Sequence, residues 1–127
     1  MERIVEQAAM VGFRALALTD VDNLYGAVRF WNAARSTGLT PLIGAQVGQV
    51  VMITRSRLGY ANLSTILSRR HLGKPIAVED CQKDLHFIAC TPAAAEKLKG
   101  RVDRLWLEIV RPGTTWDADR MLLRFHG

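Results

Sequence analysis

Apolar positions along this chain switch between the period of a helix and that of a strand, and the switches mark the elements. From Glu2 to Val11 the apolar residues Ile4, Val5, Ala8 and Val11 recur at helical spacing, and Gly12 suits the left-handed position that ends such a helix. Ala15 to Leu18 is a continuous apolar run bounded by Gly12 and by the polar cluster Thr19-Asp20-Val21-Asp22-Asn23, the pattern of a strand buried on both faces of a parallel sheet. Asp22 or Asn23 can cap the next helix, whose apolar positions Leu24, Ala27, Val28, Trp31 and Ala34 predict an inward stripe with Trp31 buried against the sheet. Gly38 closes that helix, and a second buried strand, Pro41 to Gln46, follows. The unit is a βαβ crossover, right-handed on general grounds.

The remaining pattern continues the alternation. Val47-Gly48-Gln49 is too short to hold a crossover helix, so Val50 to Thr54 is predicted to return antiparallel as a hairpin, with Gly48 in the turn. Ser56 caps a helix whose inward positions are Tyr60, Leu63, Ile66 and Leu67, ending near Arg70; Gly73 and Pro75 break the chain. Val78 to Lys83 reads as a short helix and Leu85 to Cys90 as a buried strand. Thr91-Pro92 starts a helix that Gly100 follows. Val102 to Val110 reads as a strand with Leu105, Leu107 and Ile109 on one face. Arg111-Pro112-Gly113 turns out of it, and Thr115 caps a last helix, Trp116 to Phe125. The whole, residues 1–127, is read as one domain of the α/β class.

Composition narrows the function classes. There is no apolar run of about 18 residues to cross a membrane, and the start MERIVEQAAM lacks the basic opening and apolar core of a signal peptide, so a cytoplasmic protein without a membrane partner is expected. Cys81 and Cys90 lie outside any CxxC pattern and read as reduced thiols. The net charge of +5 and pI near 9.8 permit contact with nucleic acid. The basic residues Arg55, Arg57, Arg69, Arg70, His71 and Lys74 carry no interleaved aromatics of the kind a single-strand stacking platform uses. They read as a solvated surface, with Arg69 and Arg70 answering the negative end of their helix. In α/β folds ligand chemistry collects at strand carboxyl ends, which singles out the TDVDN and GAQ turns.

The stretch ALTDVDNLYGAVRFWNAARSTGLTPLIGAQV, followed by ITRSRLGYANLSTILSRRHL, resembles the PHP (polymerase and histidinol phosphatase) domain of bacterial DNA polymerase III alpha subunits and error-prone DNA polymerases. The likeness weakens after about Lys74. It implies a distorted α/β barrel, here partial: about five strands, mostly parallel, with one antiparallel hairpin, flanked by helices. It also implies a site in which His, Asp and Glu side chains at strand carboxyl ends hold divalent metals that activate water on a phosphoester.

The residues depart from that implied set. The early HxH strand of the family is absent; the His of T-D-H-D is Val21, and the Glu of G-x-E is Gln46. An isopropyl group cannot bind a metal, and a neutral amide is a poorer partner for a dication than a carboxylate. Asp20 matches the family's Asp as the one candidate metal residue, a vestigial one; alternatively it accepts hydrogen bonds within the turn, from backbone N–H groups, Thr19 or Asn23. His71, His86 and His126 form no HxH or HxxxH pair. No catalytic or cofactor-binding residue is assigned, and no cofactor is expected. The resemblance therefore implies a degenerate, non-catalytic domain with a structural or interaction role in DNA replication or repair. The other reading is a residual phosphoesterase or 3'-5' proofreading exonuclease, using zinc or manganese, with Asp20, Gln46 and a second subunit rebuilding the site. No polymerase activity fits here, since the implied palm domain lies beyond this length. Loss of the first strand is expected to uncover the Ala15–Leu18 strand and to favour a homodimer or docking on a polymerase-related protein.

Overall fold

The structure, a computed structural model, describes residues 2–110 and 120–124, with side chains described for residues 2–109. Eleven elements follow in order: α1 (Glu2–Val11), β1 (Ala15–Val21), α2 (Ala27–Ser36), β2 (Thr40–Val47), β3 (Val50–Thr54), α3 (Arg57–His71), α4 (Val78–Cys81), β4 (Leu85–Ala89), α5 (Pro92–Leu98), β5 (Leu105–Val110) and β6 (Arg120–Arg124). The strands form one sheet in the order β1-β2-β3-β4-β5-β6. The pairs β1–β2 and β4–β5 are parallel, and β2–β3, β3–β4 and β5–β6 are antiparallel. Four strands thus share one direction while β3 and β6 oppose them. The sheet is open, with β1 and β6 at its edges.

Alternation along the strands sorts the two faces. In β4, Leu85, Phe87 and Ala89 are buried while His86 and Ile88 are only partly so. Register carries the buried set across the sheet: Phe87 faces Met52 on β3 and Leu105 on β5, and Met52 faces Ala45 on β2. These residues meet Leu63, Ile66 and Leu67 of α3, with Val78 and the α5 residues Ala95 and Leu98, in one core. A second core joins Val5 and Ala8 of α1 to Ala27, Phe30 and Ala34 of α2, with Leu39 and Ile43. Ile43 and Ala45 both belong to the covered face, so the helices gather there. The other face carries Leu42, Gln46, Val51, Ile53, His86, Ile88 and Trp106.

Several sequence expectations change. The last helix does not form over Arg120–Arg124, which is strand β6 paired to β5 from Val110↔Arg120 to Trp106↔Arg124. The other residues of that expected helix, with the Arg111-Pro112-Gly113 turn, Thr115 and His126, lie outside the described residues. Strand β1 is not buried on both faces: it is an edge strand with no fully buried residue, running on to Val21. Helix α2 begins at Ala27 with Gly26 as its cap residue and no side-chain capping bond, so neither Asp22 nor Asn23 caps it. It is also rotated from the expected stripe. Phe30 is 2% exposed and Trp31 42% exposed, while Val28 lies outside. Tyr60 is likewise exposed rather than part of the inward stripe of α3, whose cap Ser56 accepts from the Gly59 N–H. Thr91 caps α5 by accepting from the Ala94 N–H. Cys81 and Cys90 form no disulfide.

One surface ion pair ties α1 to α2. Arg29 Nε donates to Glu2 Oε1 at 2.7 Å and its Nη2 to Oε2 at 3.1 Å, a two-pronged contact. The guanidinium hydrogen bonds, then the backbone N–H, hold the Glu2 carboxyl at about 2, against an ordinary 4.5. A depressed carboxyl stabilises the fold at pH above its unfolded value and loses that contribution as pH falls through the folded one. The Glu2 carboxyl resonance is therefore expected to titrate near 2, and in Arg29→Ala to rise toward its ordinary value; an unchanged midpoint in the variant would remove the tether.

Candidate functional site

The site is built from the carboxyl ends of β1 and β2 and the loops that leave them. In the parallel register Asp20 lies beside Ala45 and Val21 beside Gln46. Because alternate residues point to opposite faces, Asp20 falls on the side of buried Ala45, while Val21 and Gln46 share the other face. The structure thus brings Val21 and Gln46 together and keeps Asp20 apart from them. Gln46 Nε2 donates to the Gly48 carbonyl at 3.2 Å, which turns its amide toward the β2–β3 connection.

The loop after β1 is held by partners that sequence reading missed. Asp22 has the left-handed φ of 56° and donates its N–H to the Gln46 carbonyl at 2.9 Å. Its Oδ1 accepts from Arg70 Nε at 2.7 Å. His71 Nε2 lies 2.7 Å from the Asp22 carbonyl oxygen, which can only accept, so that nitrogen carries the proton. Asn23 closes the turn, its Nδ2 donating to the Val21 carbonyl at 2.9 Å and its Oδ1 accepting from the Tyr25 N–H at 3.1 Å. The carboxyl end of α3 is thereby bolted to the end of β1. Arg70 has a specific partner here, beyond the general attraction of a helix end. Asp20 makes none of these bonds; Asn23 and Asp22 do the work expected of it.

The chemistry available at this end is limited. Val21 offers no donor, Gln46 offers an amide already engaged, and Asp22 is spent on Arg70 and His71. Among the described residues no group of three His, Cys, Asp or Glu side chains lies together in a way that could hold a metal ion. The described residues at this end, Val21, Gln46 and Asp22, do not by themselves make up the ligand set of a metal centre. His86, on the same face as Gln46, accepts at Nδ1 from the Trp106 indole N–H at 3.2 Å and lies two strands away from Gln46.

A model of the PHP domain matches residues 1–123. The chain belongs to the PHP domain family. It is 31% identical over 119 residues to the error-prone DNA polymerase of Burkholderia mallei, with 80% of this chain and 11% of that protein covered. It is 35% identical over 79 residues to the error-prone DNA polymerase of Symbiobacterium thermophilum, covering 58% of this chain and 7% of the relative. It is 33% identical over 81 residues to the DNA polymerase III subunit alpha of Buchnera aphidicola, covering 55% of this chain and again 7% of the relative. This PHP chain therefore spans a small part of the curated relatives it matches. Among the described residues no helix is long and apolar enough to cross a membrane.

Proposed function

We propose that this PHP domain is non-catalytic and serves as a structural or interaction module in DNA replication or repair. The observation that carries the reading is the register pair Val21 and Gln46. Two side chains at adjacent strand ends, where the family resemblance sets metal ligands, supply no carboxylate or imidazole, and the neighbouring Asp20 falls on the other face. Metal-assisted hydrolysis needs several converging donors, and a hydrocarbon beside an amide cannot replace them. The purified chain is expected to bind less than one equivalent of zinc or manganese and to leave p-nitrophenyl phosphate and a 3'-labelled oligonucleotide intact. Two or more metal ions per chain in elemental analysis, with hydrolysis abolished by chelator, would overturn the proposal.

The interaction half of the proposal rests on β1. Among the described residues its outer edge presents backbone groups with no strand beside them, and Val21 within it and Phe13, Met10 and Val11 before it are exposed apolar residues. Such an edge favours pairing with another chain. A homodimer is expected in light scattering at low micromolar concentration. A 14.1 kDa particle across dilution and salt would mean that β1 stays unpaired.

A further inference from the structure

A groove of about 950 Å³ is bounded by α2, by the start of α3 and by residues of β2, β3, β4 and β5. It begins at Thr40 and Pro41, the first residues of β2, and at Arg55 and Ser56, just past the end of β3. Its volume lies within the range of small-molecule sites, roughly 300–1,000 Å³. The walls are largely apolar. Trp31 and Tyr60, which the sequence pattern would have buried, instead stand at this groove, and Trp106 is steadied from below by its hydrogen bond to His86. Three arginines share the rim: Arg35, whose guanidinium lies 6.0 Å from the centre of the Trp31 ring, Arg55 and Arg57. No aspartate or glutamate lines the groove, and none of the three arginines forms an ion pair among the described residues.

We propose that this groove binds a small amphipathic anion, a flat apolar body carrying one carboxylate, sulfonate or phosphate. Aromatic faces take a flat apolar body by stacking, and guanidiniums with no carboxylate partner take the anionic group through charge-assisted hydrogen bonds. The amino end of the fifteen-residue helix α3 opens on the same rim and adds positive potential there. Charge decides against a second copy as occupant, because it would set arginines against arginines. A nucleic-acid strand brings a phosphate with every nucleotide and needs a basic track along its length, whereas the arginines of this groove are three, confined to its rim.

The test uses 8-anilinonaphthalene-1-sulfonate as the probe and N-phenyl-1-naphthylamine as its uncharged counterpart, titrated into the full chain. One saturable site is expected for the sulfonate, with quenching of tryptophan fluorescence, affinity falling as sodium chloride is raised, and at least tenfold weaker binding of the neutral compound. The Arg55→Ala/Arg57→Ala variant, altered only at exposed positions, is expected to bind the sulfonate at least tenfold more weakly with an unchanged thermal melt. Trp31→Ala is expected to weaken both probes. Should the double variant melt early, the salt dependence and the comparison of the two probes on the unaltered chain carry the test. Equal binding of both probes, insensitive to salt, would reduce the groove to an apolar patch and overturn the proposal. Displacement of the sulfonate by micromolar oligo(dT), or its exclusion when the chain self-associates, would assign the groove to nucleic acid or to a second copy and overturn it as well. Retained metal-independent binding in a chain that proves hydrolytic would leave this proposal standing while the non-catalytic reading falls.

Discussion

Phe30→Ala is expected to lower the free energy of unfolding by about 3–5 kcal/mol, and its neighbour Trp31→Ala by only about 1 kcal/mol. The two residues are adjacent and both large, yet the helix turns them to different surroundings. Phe30 is 2% exposed and packs where α1, α2 and β2 meet, against Val5, Ala8, Leu39 and Ile43. Removing its ring leaves a cavity walled by two helices and a strand, which cannot collapse without moving α1. Trp31, 42% exposed, faces the groove, so truncation exposes little that was dry. Urea midpoints for the two variants decide the orientation of α2. Equal losses, or a larger loss at Trp31, would restore the rotated helix that the sequence stripe predicts.

Gly59→Ala is expected to destabilise by about 1–3 kcal/mol, the range of overpacked sites, although alanine in a helix interior is ordinarily better than glycine by about 1 kcal/mol. The reason is the close passage of α3 over the start of β4. A Cβ at Gly59 would overlap the Asp84 carbonyl oxygen, and Asp84 has no freedom to retreat. That carbonyl accepts from the Arg55 N–H at 2.9 Å, and the Asp84 carboxylate accepts from Ser56 Oγ at 2.6 Å. Asp84 itself sits at a left-handed φ of 59°. An added methyl must therefore push the helix from the strand. Ser68→Ala, an exposed site of the same helix, is the control and is expected to be near neutral. A stabilised Gly59→Ala variant would show that α3 has room to shift.

Much of this fold is legible in the sequence because it is written locally. The runs at Ala15–Leu18, Pro41–Gln46 and Val50–Thr54 each lie on an observed strand, the run Leu85–Cys90 does so up to Ala89, and Ser56 and Thr91 cap their helices through bonds three residues long. What was not legible depended on partners far along the chain. The stripe of α2 is ambiguous because apolar residues occupy both of its sides, and only the arrival of α1 selects Phe30 over Trp31. Arg120–Arg124 carries a pattern that suits a helix but is taken by β5, whose backbone groups need a neighbour. The Asp22–Arg70 bond spans 48 residues and no periodicity announces it. The same holds for the groove: Trp31, Tyr60 and Trp106 are scattered singly, so the arginines seemed to lack aromatic company until the sheet gathered them. At the candidate site, the residue types of Val21 and Gln46 were readable from the start. That Asp20 lies on the other face follows only from the register.

The sheet order has a consequence for how such a chain acquires its shape. Every strand pairs with its immediate predecessor and successor in sequence, and no strand waits for a partner from the far end. The loops that must close are those between consecutive elements, and the entropy lost in closing a loop grows with its length. A sheet of this kind can be laid down progressively as the chain emerges, each new hairpin or crossover adding to a surface already formed, and its relative contact order is kept low. A stretch matching a small share of a polymerase's length therefore has a folding route made of its own neighbouring segments.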